Sequence, residues 1–153
     1  MKKFFFGLMA IAVLACTACK KENPAEQFAG NYDVATTVHL SFLNPLTGQN
    51  QTLDQELDVM NTTITLNGDE GAVNVTMGDI TTTGTVDEAG LHLQPTTATI
   101  TVMEMPVSIN LTFPTIAAPV NGVTSWVANV TASVNIGVSI TANGTADQVA
   151  TKK

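Results

Sequence analysis

A chain of 153 residues with 13 acidic side chains, 6 lysines and no arginine carries a formal net charge of −7. Its cations are confined to Lys2, Lys3, Lys20, Lys21, Lys152 and Lys153, so no fixed positive charge stands between Glu22 and Thr151. Nucleic acids are thereby excluded as partners and anionic ligands lack a clamp, because both are held by Lys and Arg; the acidity itself reads as a surface that keeps the molecule soluble.

In chain order, Lys2-Lys3 and the apolar run over residues 4–15 have the layout of a secretory signal. A dozen apolar residues fall short of the roughly 20 that span a bilayer. Small residues then lead into cysteine twice, in Val13-Leu14-Ala15-Cys16 and in Cys16-Thr17-Ala18-Cys19. These stretches resemble the lipobox of bacterial lipoproteins, and the resemblance implies cleavage before a cysteine that is then acylated. Cys19 is the expected lipidation site, with small Thr17 and Ala18 before it and polar Lys20-Lys21-Glu22-Asn23 after it. Cys16 is the alternative, having aliphatic Val13 three positions before it. A Cys-x-x-Cys redox or metal motif is the competing reading, but such a motif belongs beside a folded βα unit and not at the end of an export signal. Several acyl chains anchor stably where one binds only marginally. No Asp follows Cys19, which by the same resemblance implies an outer-membrane lipoprotein on the periplasmic or cell-surface face.

The organisation expected is a signal peptide over 1–18, a lipidated tether over 19–27, one β domain over 28–147 and a frayed tail over 148–153. Within the domain, Tyr32, Val34, Thr36, Val38, Leu40 and Phe42 alternate with polar residues, as in a strand with one buried face. Asn44-Pro45-Leu46-Thr47-Gly48 is a turn. Between residues 51 and 66 the apolar positions change parity, from Leu53, Leu57 and Val59 to Ile64 and Leu66, which predicts a bulge or break near Met60-Asn61. Turns at 67–71, Gly78-Asp79 and 87–90 separate short strands through Val73 to Met77, Ile80 to Val86 and Leu91 to Leu93. Residues 98–102 and 107–113 form a hairpin about Met103-Glu104-Met105-Pro106, and residues 114–122 form a loop. Two further strands carry Trp126 to Val134 and Val138 to Ala142. Eight or nine strands without a helical period describe an all-β antiparallel domain, a barrel of about eight strands or a sandwich.

Phe28-Ala29-Gly30-Asn31-Tyr32-Asp33 resembles the Gly-x-Trp/Tyr opening of lipocalin-type barrels. With Met77-Gly78-Asp79-Ile80, Met105-Pro106-Val107 and Ile136-Gly137-Val138-Ser139-Ile140, the chain is similar over 28–146 to the calycin-like (lipocalin-like) β-barrel domain of Gram-negative lipoproteins. Tyr32 stands where Trp is usual, and no late arginine packs against it. The resemblance implies a fold more than an activity.

Chemistry-bearing residues are sparse. His39 and His92 fall on the polar phase of their strands and are expected to face solvent. Asp54, Glu56 and Asp58 alternate on one strand with carboxylates about 7 Å apart, so a solvated face is expected in preference to a Ca²⁺ site. Met60, Met77, Met103 and Met105 are expected to fill gaps in a core, with an adaptable apolar pocket as the alternative. Asn-x-Thr triplets, as at Asn61 and Asn129, are read as chance. Neither Gly-x-Ser-x-Gly nor a phosphate-cradling glycine loop occurs. No catalytic residue, metal or cofactor is therefore expected, and the chain is not expected to be an enzyme. The expected function is a membrane-anchored envelope lipoprotein whose barrel binds a neutral or apolar small ligand. The alternative is a non-catalytic structural or interaction lipoprotein that meets an envelope protein or a glycan.

Overall fold

Period-2 alternation produces strands nearly everywhere it occurs in this sequence. The computed structural model describes residues 22–102, 104–135 and 137–153, which leaves the signal, Cys16 and Cys19 outside the described residues. A 3-10 turn, Pro24–Gln27, precedes nine strands: β1 (Gly30–Leu43), β2 (Asn50–Leu66), β3 (Ala72–Met77), β4 (Ile80–Asp87), β5 (Gly90–Leu93), β6 (Thr96–Val102), β7 (Met105–Thr112), β8 (Val123–Asn135) and β9 (Ser139–Lys152). They form one curled antiparallel sheet, a half-barrel, in the order β5-β4-β3-β2-β1-β9-β8-β7-β6.

The parity change in β2 is a register shift. Val34 of β1 faces Met60, whereas Thr36 faces Leu57, so β2 gains one residue at Asp58-Val59, just before the expected position. Leu53 and Leu57 below the shift in sequence and Met60, Thr62 and Ile64 above it thus share the concave face, while Val59 is pushed out to 61% exposure.

The two edge strands are consecutive in the chain and, with every neighbour antiparallel, run in the same direction. They amount to one stave split in two. β5 pairs with β4, and Gln94 N still donates to Thr83 O at 2.9 Å; Pro95 has no N–H to offer, and β6 continues on β7 instead. Continuing the β4–β5 register would set Thr81 opposite Thr96. These residues instead border a gap of about 500 Å³.

Strand lengths divide the sheet into two levels. β1, β2, β8 and β9 are 13 to 17 residues long, whereas β3, β4 and β5 have 6, 8 and 4. β1 to β5 and β9, with Trp126 of β8 packed against them, build the lower level, where Tyr32, Val34, Ile64, Val73, Val75, Leu91 and Ile116 are buried together. The 3-10 turn plugs its end. Asn23 Oδ1 accepts from Ala25 N and from Gly71 N, both at 3.0 Å, and fully buried Ala25 sits beside Phe28, whose carbonyl accepts from Tyr32 Oη at 2.8 Å. Ile116, in the segment joining β7 to β8, exchanges two backbone hydrogen bonds with Leu91 at 2.8 and 2.9 Å and closes the side left by the split stave.

Both expected domain boundaries need correction. The fold begins at Asn23, because Pro24 starts the plug and does not belong to an extended tether. The tail is not frayed, because β9 remains paired with β1 up to Lys152 opposite Tyr32. Lys152 Nζ lies 5.8 Å from the centroid of the Tyr32 ring, a cation over an aromatic face where no arginine was available. Lys153 Nζ meets Asp33 at 2.8 Å and Asn61 Oδ1 at 2.6 Å.

At Gly144, opposite Leu40, a Cβ would overlap the His39 carbonyl oxygen and crowd the Leu40 Cα. Only a residue without Cβ lets β9 approach β1 so closely. Gly144→Ala is expected to lower stability by about 3 kcal/mol, the upper end of overpacking costs, as measured by urea unfolding.

Candidate functional site

Above the buried rung of Ala128 and Ala146 the concave face continues without a lid. Leu40 and Phe42 of β1 stand opposite Gly144 and Ala142 of β9; Ala142 faces Ala132 of β8, Ile140 faces Val134, and Val134 faces Val107 of β7. Large side chains on β1 and β8 thus flank small ones on β9. With Leu53 of β2 opposite Leu40, they line a trough of about 230 Å³. No charged residue lines it. It stays open because β3 and β4 turn back at Gly78-Asp79, at the level of Thr62, so the wall across from β8 and β9 ends there. Leu53 and Leu57 are consequently 47% and 44% exposed on the concave face.

The lower level offers no comparable space. Its cavity, lined by Phe28, Tyr32, Ile64, Leu91 and Trp126 among others, measures about 20 Å³, about enough for one water molecule. A depression of about 590 Å³ lies outside the plug, but Glu22, Glu70, Asp87 and Glu88 border it and make it an acidic surface. Among the described residues the trough is therefore the open concavity lined by apolar side chains alone. Sequence reasoning assigned its residues to strands but not to a site. The legible signal was that the strands in the second half outrun those in the middle of the chain.

The two histidines lie on the outside of the sheet, half-exposed, and each is paired. His39 is directly opposite Asp54 and donates from Nδ1 to Asp54 Oδ1 at 2.6 Å, while its Nε2 is 3.6 Å from Asp147 Oδ2. The hydrogen bond to Asp54, followed by the charges of Asp54 and Asp147, raises the His39 pKa above its usual value near 6.5. His92 Nε2 donates to Asp87 Oδ1 at 3.0 Å, which leaves Nδ1 to accept from Thr115 Oγ1 at 3.3 Å. Asp87 Oδ1 also accepts from Ala89 N and Gly90 N, and these bonds, led by that of His92, hold its pKa below the usual carboxylate value. The Thr115-His92-Asp87 relay ties the segment before Ile116 to the β4–β5 hairpin. The Asp87 oxygen that orients His92 is already engaged in capping the turn.

Asp54 is held by His39, and Asp54 and Glu56 occupy the outer face before the register shift at Asp58-Val59 interrupts the alternation. Among the described residues no group of three or more His, Cys, Asp or Glu side chains is placed to hold a metal. Met77 is buried in the core and Met60 packs against it; Met105 is 36% exposed at the top of β7, and Met103 lies outside the described residues.

No protein-family model matches this sequence, and no curated protein matches it.

The His39 pairing gives a pH dependence whose sign is fixed. With a pKa raised on folding, its stabilisation is fully present below the unfolded value near 6.5 and is lost as pH rises through the folded value. The stability difference between wild type and His39→Asn, measured by urea unfolding, is expected to be larger at about pH 5 than at about pH 8. Asp87 behaves oppositely. Its depressed pKa stabilises the fold above the usual value of 3.8, and that contribution fades as pH falls through the folded value.

Proposed function

We propose that this chain is a lipid-anchored cell-envelope lipoprotein whose half-barrel holds a neutral, apolar ligand in the upper trough. The observation that carries the reading is the uncharged trough bounded by Leu40, Phe42, Leu53, Val134 and Ile140 above a filled core. Apolar surface left open beside a packed core is retained where something covers it. A cargo without charge fits, since an ionised group placed there would lose water without gaining a partner.

The anchor rests on the sequence: Cys19, or Cys16, after a short export signal, with the outer membrane as the expected location. The resemblance to calycin-like lipoprotein barrels rests on the sequence motifs, and the curled antiparallel sheet is of the barrel-like class that it implies. A second reading, an interaction lipoprotein without a small ligand, is favoured by one observation. The outer edge of β6 ends the sheet, and Thr96–Thr99 border an open gap, so an extended segment of an envelope protein could add there as a further strand.

N-phenyl-1-naphthylamine, a neutral apolar probe that brightens when shielded from water, tests the first reading. Wild type is expected to bind it saturably. Ala142→Phe, which places a ring in the trough, should weaken binding at least about tenfold, equivalent to about 1.4 kcal/mol, with the far-UV spectrum retained. Absence of probe binding in folded wild type, or equal binding by the two proteins, would reject the trough as a ligand site and favour the strand-addition reading.

A further inference from the structure

The connections at the open end of the half-barrel hold large apolar side chains out in water. Leu43, which ends β1, and Leu46, between β1 and β2, are 57% and 93% exposed; Val138, between β8 and β9, is 53% exposed, and Met105 follows the tight turn out of β6. These three connections share one end because β1, β6 and β8 run toward it and β2, β7 and β9 run back from it. Glu104 is the single charged residue in segments 43–50, 102–105 and 135–139 of a chain with 13 acidic residues. The opposite end has the reverse character. Asp69-Glu70 and Asp87-Glu88 occupy the β2–β3 and β4–β5 connections, and Glu26 lies in the plug.

Exposed apolar tips nearly free of charge, continuous with an apolar trough, have the chemistry of a surface that enters the boundary between lipid headgroups and acyl chains. We propose that the open end docks on a neutral lipid bilayer, with Leu43, Leu46, Met105 and Val138 entering the interface and the trough facing the acyl chains. The lipid must be neutral in net charge, because the tips carry no Lys or Arg to attract anionic headgroups and the full sequence already carries a net −7. The described chain starts at Glu22 beside the acidic end, and the 14 residues of β1 separate that end from the tips by about 45 Å. With the amino terminus anchored, the tips therefore address a lipid surface other than the patch that holds the anchor. The role of the trough in receiving an acyl chain rests on the ligand reading above; docking by the tips does not.

The test holds the full chain by its amino-terminal end on phosphatidylcholine vesicles, through its own acyl chains or a histidine tag on nickel-chelating lipid. Capture of a second, differently labelled population of phosphatidylcholine vesicles is then measured by fluorescence transfer. Wild type is expected to capture them, with little change between about 0.05 and about 0.5 M salt, since no ion pairing is involved. The double substitution L46D/V138D should reduce capture at least about tenfold, given that burying one such side chain is worth about that factor, and should leave naphthylamine binding intact. Val120→Asp alters an equally apolar residue, 72% exposed, in the segment between β7 and β8 at the other end, and should change neither readout. The milder L46S/V138S separates loss of docking from loss of fold, its melting temperature being compared with that of wild type. No capture by wild type, capture only of anionic vesicles, or equal capture by the folded tip variants would overturn the proposal. Tip-dependent capture without probe binding would support docking while rejecting the trough as a ligand site.

Discussion

Unequal strand length is the constraint on which the rest of this structure depends. β1 is hydrogen-bonded along nearly its whole length to β2 on one side and β9 on the other, and β8 extends that slab. β3, β4 and β5 cover only its lower part. Where the short strands face the slab, inward side chains from both sides bury one another, and each fully buried Val, Leu, Ile or Phe contributes about 1.5–3 kcal/mol. Above Gly78-Asp79 the same alternation continues with nothing opposite. The apolar row there is as regular as in the core, but it gains only the contacts of its own sheet. A single backbone plan thus yields a packed half that supplies stability and an open half that does not.

The chain manages its exposed surfaces unevenly. Sheet edges invite pairing with other chains and are commonly protected by charge or proline. β5 is protected by being short and by its bridge to Ile116; β6, Thr-rich and uncharged, has only Pro95 before it and the gap beside it. Charge is likewise segregated along the long axis, with carboxylates concentrated in the lower connections. Like charges gathered at that end repel one another, while the upper end remains apolar.

Much of the strand plan was legible because alternation and turn chemistry are local. The parity change from Leu57 to Ile64 located the register shift to within a few residues, and Asn67-Gly68 and Gly78-Asp79 marked turns that the structure contains. Three features were hidden for physical reasons. Pro24 and its charged neighbours look like a linker, and only the contact from Asn23 to Gly71, 48 residues away, turns them into a plug. Thr145 to Lys152 lacks strong apolar alternation, so its order comes from pairing with β1 on one side and β8 on the other. The trough is invisible residue by residue, because Leu40 and Phe42 continue the pattern of Tyr32 and Val34. What separates them is how far a different strand, β3, extends.

The composition of the trough also sets what it can discriminate. Aliphatic side chains with Phe42, and no donor or acceptor side chain among the residues that bound it, give no directional contact by which one apolar molecule could be told strongly from another. An added methylene changes the balance by about 0.8 kcal/mol where it is buried. A charge changes it far more, because nothing in the trough replaces the water it would lose. On the proposed ligand reading, selection there acts on chemical class: neutral against ionic, and apolar against polar. Finer choice among apolar molecules would then have to come from shape, through the floor set by Ala132 and Ala142 and the walls set by Leu40, Leu53 and Val134. On that reading, those residues set how long and how thick a hydrocarbon could lie against β9.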